Sequence, residues 1–261
     1  MSGTRPILER LYRAEGDFVA RTDESAAQLG ELQRLGYVVE HHPLRGLRLV
    51  QSPDRLMAED LRARVTPRVI GREILVFEET GSTNDVAARL AAGGRAEGTV
   101  VFAEMQTRGR GRHGRAWVSP KGKGLWFSVL LRPRFAMPRL TIAASVAVAR
   151  VVGEPARIKW PNDVMWAGRK LAGILSEARG NTAMLGVGLN VHAADWPAGA
   201  TCLEQAAGQR QDRIAVAARL LAELDRCYQQ AAEEFDVIRE EWAARCTTLG
   251  RQLVVTMGAR R

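Results

Sequence analysis

Between residues 74 and 192 seven short apolar runs follow one another, and this succession constrains the fold more than any other feature of the chain. The runs are ILVFEE, TVVFAEMQ, LWFSVLL, ARIKWP, VMWAG, KLAGILSEA and AMLGVGLNVH. Their length, and the Gly, Pro, Asn and Asp residues between them, predict strands. One stretch among them, SVAVARVV, reads as a helix packed on the sheet, and from Asp212 to Cys246 the pattern becomes helical throughout. Strands in the middle with helices around them predict an α+β domain, and 261 residues at 46% hydrophobic content can bury a sizeable core.

The first 66 residues read differently. Residues 6–13 (PILERLYR) and 25–35 (SAAQLGELQRL) predict two short helices, the second stopped by Gly36. YVVEH, the turn PLRG and LRLVQ then alternate like a hairpin, so helix followed by β wing resembles a winged-helix module. Residues 16–24 leave hardly any room for the additional helix of a complete helix-turn-helix, and 25–35 carries a single cation, Arg34. Residues 1–67 hold ten Lys or Arg and ten Asp or Glu, so the whole net charge of +9 lies in 68–261. Such a neutral module is poorly equipped for phosphate contact, which argues against DNA binding. The segment SPDRLMAEDLRARVTP reads as a helical connector closed by Pro67, and RQLVVT (251–256) begins one more strand near the end. The expected division is 1–66, 67–247 and 248–261.

Three cysteines, Cys202, Cys227 and Cys246, are too few and wrongly spaced for a disulfide framework or a zinc cage. No run approaches the roughly 18–20 apolar residues of a membrane span, and the start MSGTRPILERLYRAEG lacks the apolar centre of a signal peptide. The expectation is a cytoplasmic protein with no membrane partner.

The strongest chemical signal is the run from Arg108 to Trp117, RGRGRHGRAW. Six Lys or Arg and no Asp or Glu stand between Arg108 and Lys123, so the charge needs an outside partner. Arginine offers a planar fork for carboxylate or phosphate oxygens, and glycine permits close backbone approach. Disordered RG tracts repeat, whereas this run is single and lies between two apolar strands. A Walker A loop is absent, and Gly186-Val187-Gly188 lacks the third glycine of a dinucleotide fingerprint, Val191 standing there. An anion cradle for a small molecule remains.

Three weaker signals accompany it. Ser82-Thr83-Asn84-Asp85 opens a helix after ILVFEE, where Ser and Asp cap free amides but where small polar ligands are also received. Lys159-Trp160-Pro161-Asn162-Asp163 and Gly168-Arg169-Lys170-Leu171-Ala172-Gly173 form a strand, turn and hairpin that present Lys159, Asn162 and Lys170 near one sheet end, or only a surface hairpin. Asn190 ends GVGLN and reads equally as a turn residue.

In this order, S-T-N, Q-x-x-G-R-G-R-x-G-R-x-W, K-W-P-N-D, R-K-L-A-G-I-L and G-x-G-x-N resemble the biotin protein ligases over roughly residues 70–250. The resemblance implies a mixed β-sheet with flanking helices, the biotin synthetase fold related to class II aminoacyl-tRNA synthetases. It is preceded here by the shortened winged-helix region of the ligases that double as biotin-operon repressors. It implies ATP and Mg²⁺ as cofactors, biotin as substrate, biotinyl-5'-AMP as intermediate, and AMP and diphosphate as products. The implied acceptor is a lysine on the biotin carboxyl carrier protein domain of a carboxylase, and a homodimer is a further implied assembly.

Carried over residue by residue, Ser82, Thr83, Asn84, Gln106, Gly109, Arg110, Gly111, Arg112, Lys170 and Gly173 are implied around biotin. Arg110, Arg112, Arg115, Trp117, Asn162, Lys170 and Asn190 are implied around ATP, with Lys170 and Arg112 catalytic. No protein cage for a metal is implied, Mg²⁺ arriving with ATP near Asn162. His113 departs from the arginine common in bacterial ligases, and 248–261 is implied as the start of a truncated C-terminal β domain. A lipoate or other acyl ligase on the same fold, and a biotin-sensing transcription factor without turnover, stay open at this point.

Overall fold

The computed structural model describes residues 5–14, 16–22 and 26–252. Helices α1 (Arg5–Arg13) and α2 (Ala26–Arg34) precede a hairpin of β1 (Val38–His42) and β2 (Gly46–Gln51), close to the expected bounds. Between the two helices Val19 forms an antiparallel bridge with Leu47 on β2. Ile7, Leu8, Leu11, Leu32, Tyr37 and Leu47 form a small core of their own.

The connector contains helix α3 (Ala58–Arg64), which faces both ways. Leu56 and Leu61 enter the core of the larger part, while Met57 and Ala63 pack against the small one. Asp60 of α3 is fully buried and accepts a hydrogen bond from Tyr37. Desolvation pushes its carboxyl up to about 6, although Tyr37, Tyr12 and Arg64 pull the other way. The folded chain therefore binds this proton more tightly than the unfolded chain, and stability falls as pH rises through the window from about 4 to 6. Asp60→Asn is expected to raise stability at pH 7 by on the order of 2–3 kcal/mol and to flatten that window. Urea unfolding across pH 4.5–7.5 measures both, and an unaltered slope refutes the assignment.

The larger part is a seven-stranded sheet in the order β3-β4-β5-β9-β8-β7-β6. Its strands are β3 (Glu73–Thr80), β4 (Thr99–Gln106), β5 (Gly124–Leu131), β6 (Arg157–Lys159), β7 (Asp163–Trp166), β8 (Arg169–Arg179) and β9 (Thr182–Asn190). Only β3 and β4 run parallel, because α4 (Thr83–Ala92) crosses between them; the remaining pairs are antiparallel. Side chains alternate across β4: Val100 and Phe102 join the main core, whereas Val101 packs under α4 with Val86, Ala87 and Met184. Helices α5 (Met137–Val152), α7 (Arg213–Glu233) and α8 (Phe235–Arg245) pack together at the main core, and the short α6 (Leu203–Ala207) precedes α7.

All seven expected strands form. ARIKWP is shorter as a strand than expected, because Pro161 has no N–H for the ladder and β6 stops at Lys159. The helix read at SVAVARVV begins eight residues earlier, at Met137, since Pro138 sits in a first turn that needs no N–H. Residues 253–256 of the expected RQLVVT strand lie outside the described residues. Among the described residues no helix is long and apolar enough to cross a membrane.

Candidate functional site

A cavity of about 170 Å³ opens where the ends of β3 and β4, the 107–123 loop and the middle of β8 and β9 meet. Its floor is set by what the strands lack. A Cβ on Gly188 would stand 2.5 Å from Nε1 of Trp117, and one on Gly173 would stand 2.9 Å from the same ring. A Cβ on Gly186 would meet Oδ1 of Asn84 at 2.7 Å. The Trp117 indole thus lies on two glycines, edge-on to Trp126 at 6.2 Å between ring centroids. Lys170 places Nζ 5.0 Å from the Trp117 ring centroid and 2.7 Å from Oδ1 of Asp163. Lys170 is thereby aimed from two sides.

The wall on the α4 side is polar and buried. Ser82 is the N-cap of α4 by position, yet its side chain makes no cap hydrogen bond. The capping expected of that serine is supplied instead from β4: Oε1 of Gln106 accepts the Thr83 amide at 2.9 Å and the Thr83 hydroxyl at 3.1 Å. Nε2 of Gln106 donates to Ser119 at 3.0 Å. Ser128, fully buried in the middle of β5, reaches Oγ1 of Thr83 at 2.7 Å and also Oδ1 of Asn84. Asn84 in turn donates to Glu177 at 2.6 Å.

The loop above carries the arginines. Gly111 N–H donates to the Arg115 carbonyl at 2.7 Å, closing a small turn in which His113 takes a left-handed φ of 57°. Gly109 is buried beneath it, where a Cβ would meet the Trp117 carbonyl at 2.5 Å. The three of its four arginines that line the cavity differ in kind. Arg110 is spent inside the protein, forking onto Asp85 at 2.7 and 2.8 Å and reaching Glu177 at 3.3 Å. That fork, working against burial, holds the Asp85 carboxyl below its usual range. Arg112 and Arg115 are exposed and pair with no carboxylate among the described residues. Of the arginines lining the cavity, these two are the ones open to a bound anion.

Of the sequence-derived candidates, Ser82, Thr83, Asn84, Gln106, Arg110, Gly111, Arg112, Arg115, Trp117, Asn162, Lys170 and Gly173 line this one cavity. Gly109 and Asn190 do not. Asn190 donates to the Thr201 carbonyl at 2.8 Å, and Thr201 N–H donates to the Lys170 carbonyl, so it braces Lys170 from behind. Asn162 is held by its own strand pair, donating to the Ile174 carbonyl at 2.8 Å. Sequence reasoning missed Ser128 and Glu177, and it read Asp85 only as a helix cap. The signal was a serine inside the apolar run LWFSVLL and two polar residues closing KLAGILSEA.

A mixed sheet with a cation-rich loop over a polar cavity defines a small-molecule ligase class here: the biotin/lipoate A/B protein ligase family model matches residues 76–193. The bifunctional ligase/repressor BirA of Bacillus subtilis is 35% identical, covering 95% of this chain and 86% of its own length. The biotin--[acetyl-CoA-carboxylase] ligase of Mycobacterium tuberculosis is 39% identical over 71% of this chain and 75% of its own. A solved biotin protein ligase from Aquifex aeolicus, in complex with biotin and ATP, superposes with a TM-score of 0.63 at 30% identity, covering 69% of this chain and 80% of that one. This chain belongs to the biotin protein ligase family.

Proposed function

We propose that the protein is an ATP-dependent biotin protein ligase that makes biotinyl-5'-AMP and transfers biotin to a lysine of a biotin carboxyl carrier protein domain. The observation that carries this reading is the convergence of its separate motifs on one cavity, with two unpaired arginines above a buried polar wall. In the first step a biotin carboxylate oxygen bonds to the α-phosphorus of ATP and diphosphate leaves. In the second the acceptor amine bonds to the acyl carbon and AMP leaves. Both steps gather negative charge, so positioning and electrostatic stabilisation are the chief requirements.

The polar wall of Thr83 and Gln106 suits the bicyclic urea, and Lys170 suits the carboxylate and the α-phosphate. Arg112 and Arg115 suit the phosphates, each contributing about 4 kcal/mol at 4 Å in an effective dielectric near 20, before desolvation is subtracted. Mg²⁺ carried by the nucleotide would neutralise phosphate charge on the Asn162 side. Arg110 is assigned a different task from the one its motif implies: with both edges of its fork on Asp85 and Glu177, it braces the wall instead of meeting phosphate.

Biotin-dependent exchange between ATP and diphosphate, followed by labelling of a carrier domain, tests the reading. Exchange with biotin well above that with lipoate or octanoate is expected. Absence of biotin-dependent exchange, or a preference for lipoate, overturns it. The similarity to a ligase/repressor extends through the N-terminal module, which gives biotin-responsive repression as a second reading. Salt-titrated binding to a biotin-operon fragment decides that one, and the single cation on α2 predicts weak binding.

In terms of domains, we assign 1–66 to the winged-helix-like module and 67–247 to the ligase domain; most of 248–261 lies outside the described residues. The separate small core of the module supports the first boundary.

A further inference from the structure

We propose that a groove beside the cavity, between α5, α8 and the turn after β6, docks the acceptor protein, taking an apolar residue within two positions of its target lysine and an acidic surface around it. This deepens the ligase reading and rests on it.

The groove has a volume of about 380 Å³. Met137, Pro138 and Ile142 of α5 line it together with Trp160, Pro161 and Trp242. Arg112, Asn162, Ile174 and Leu175 line both the groove and the ligand cavity, so the two are continuous.

Its chemistry favours an apolar occupant. The hydroxyls of Thr141 and Ser176 stand 3.0 Å apart and serve each other, and the Asn162 amide nitrogen is taken by the Ile174 carbonyl. Nε1 of Trp242 is buried within the protein. A nucleobase, whose ring edges need hydrogen bonds, would be poorly answered there. Trp160, by contrast, is 53% exposed, while its N–H is fixed on the Thr248 hydroxyl at 3.1 Å. A large indole held in water at the edge of an apolar groove is the kind of residue that anchors a protein interface.

Position selects the acceptor as the occupant. The cavity takes the small molecules, and the reactant that remains for the second step is a protein whose lysine enters over the rim. Its amine nitrogen bonds to the acyl carbon, AMP leaves and the amine proton passes to solvent. Residues one or two positions from that lysine are carried about 4–7 Å to its side, far enough to reach a groove that shares a wall with the cavity.

Charge sets the sign of the partner. Residues 105–180 hold 15 Lys or Arg against three Asp or Glu. At the groove, Arg139 follows Pro138 and Lys159 precedes Trp160; both are exposed, and neither pairs with a carboxylate among the described residues. The Arg139 guanidinium lies 4.6 Å from the Phe235 ring centroid, which holds it in place. An acidic surface is steered onto these cations and a basic one is turned away.

The test compares the wild type, Trp160→Ala and Arg139→Glu, with a thermal melt as the folding control. Three assays are run: biotin-dependent exchange between ATP and diphosphate, acyl transfer to hydroxylamine, and transfer to a purified biotin carboxyl carrier protein domain. KM for the carrier domain is expected to rise about tenfold in Trp160→Ala and at least about threefold in Arg139→Glu, the latter with a weaker dependence on salt. Exchange and hydroxylamine transfer need no protein surface and are expected to stay within about twofold of the wild type. Apolar residues within two positions of the carrier's lysine are also changed to alanine in turn. One such change is expected to raise KM about tenfold with the wild type but about twofold or less with Trp160→Ala. An unchanged KM for the carrier domain in the folded variants overturns the docking site. A raised KM for ATP in Trp160→Ala overturns it too, by giving the groove to the nucleotide. Failure of the wild type to catalyse exchange overturns the ligase reading instead.

Discussion

Arg112→Ala is expected to release biotinyl-5'-AMP at least about tenfold, and up to about 100-fold, faster than the wild type. Three of the loop's four arginines line the cavity, but their partners differ. Arg110 is held by Asp85 and Glu177, whereas Arg112 lines the cavity with no carboxylate of the described residues beside it. A charge-assisted hydrogen bond to an otherwise unneutralised phosphate contributes about 1.5–3 kcal/mol, which fixes the range. Release is measured by forming the adenylate on the enzyme, adding excess unlabelled biotin and following label lost to solution. Arg110→Ala should behave differently, weakening biotin binding by loosening Asn84 and Glu177 while leaving the release rate nearer that of the wild type. Unchanged retention in Arg112→Ala refutes the assignment. Equal effects from both substitutions refute the separation of tasks.

The largest loss of stability is expected from Arg213→Ala, at about 3–5 kcal/mol and a fall in Tm of on the order of 10 °C. Arg213 opens α7 and is 2% exposed. Its guanidinium uses all five donors: onto Glu104 at 2.7 and 3.2 Å, the Asp54 carboxylate at 2.8 Å, the Asp54 carbonyl at 3.0 Å and the Gly124 carbonyl at 3.3 Å. Glu104 is itself buried and also accepts the Leu56 amide at 2.6 Å. Removing the cation leaves Glu104 charged, buried and unpaired, which is the costly way to break an ion pair. Lysine retains the charge but not the fork, so Arg213→Lys should fall between the two. A drop of less than about 3 °C in Arg213→Ala would show that the network is dispensable.

The sheet was legible because its strands carry their own evidence: LWFSVLL is an unbroken apolar run of strand length between turn residues, and it is buried at every residue, as a strand covered on both faces must be. Candidate positions carried by motifs were legible too, since Arg112, Asn162 and Lys170 sit in motifs whose order survives in one chain. The residues that organise those positions were not. Ser128 is one hydroxyl in an apolar strand, and Glu177 is one acid near a strand end. Each acquires its meaning only when β5, β8 and α4 are brought together across many residues of chain. Arg110 shows the same gap from the other side, for nothing in its local sequence tells that Asp85 will claim it. Charge counting located the anion site, but pairing across the fold decided which cations remain for the anion.

The glycines beneath Trp117 set a limit on remodelling. With Gly173 and Gly188 the indole rests directly on the backbone of the sheet, so nothing beneath the ring is left to trim. A larger acid or a bulkier nucleotide analogue finds room on that side only where the Trp117 ring itself is made smaller. Broader substrate range must come from the loop of 107–123, whose exposed residues can be altered without disturbing a strand.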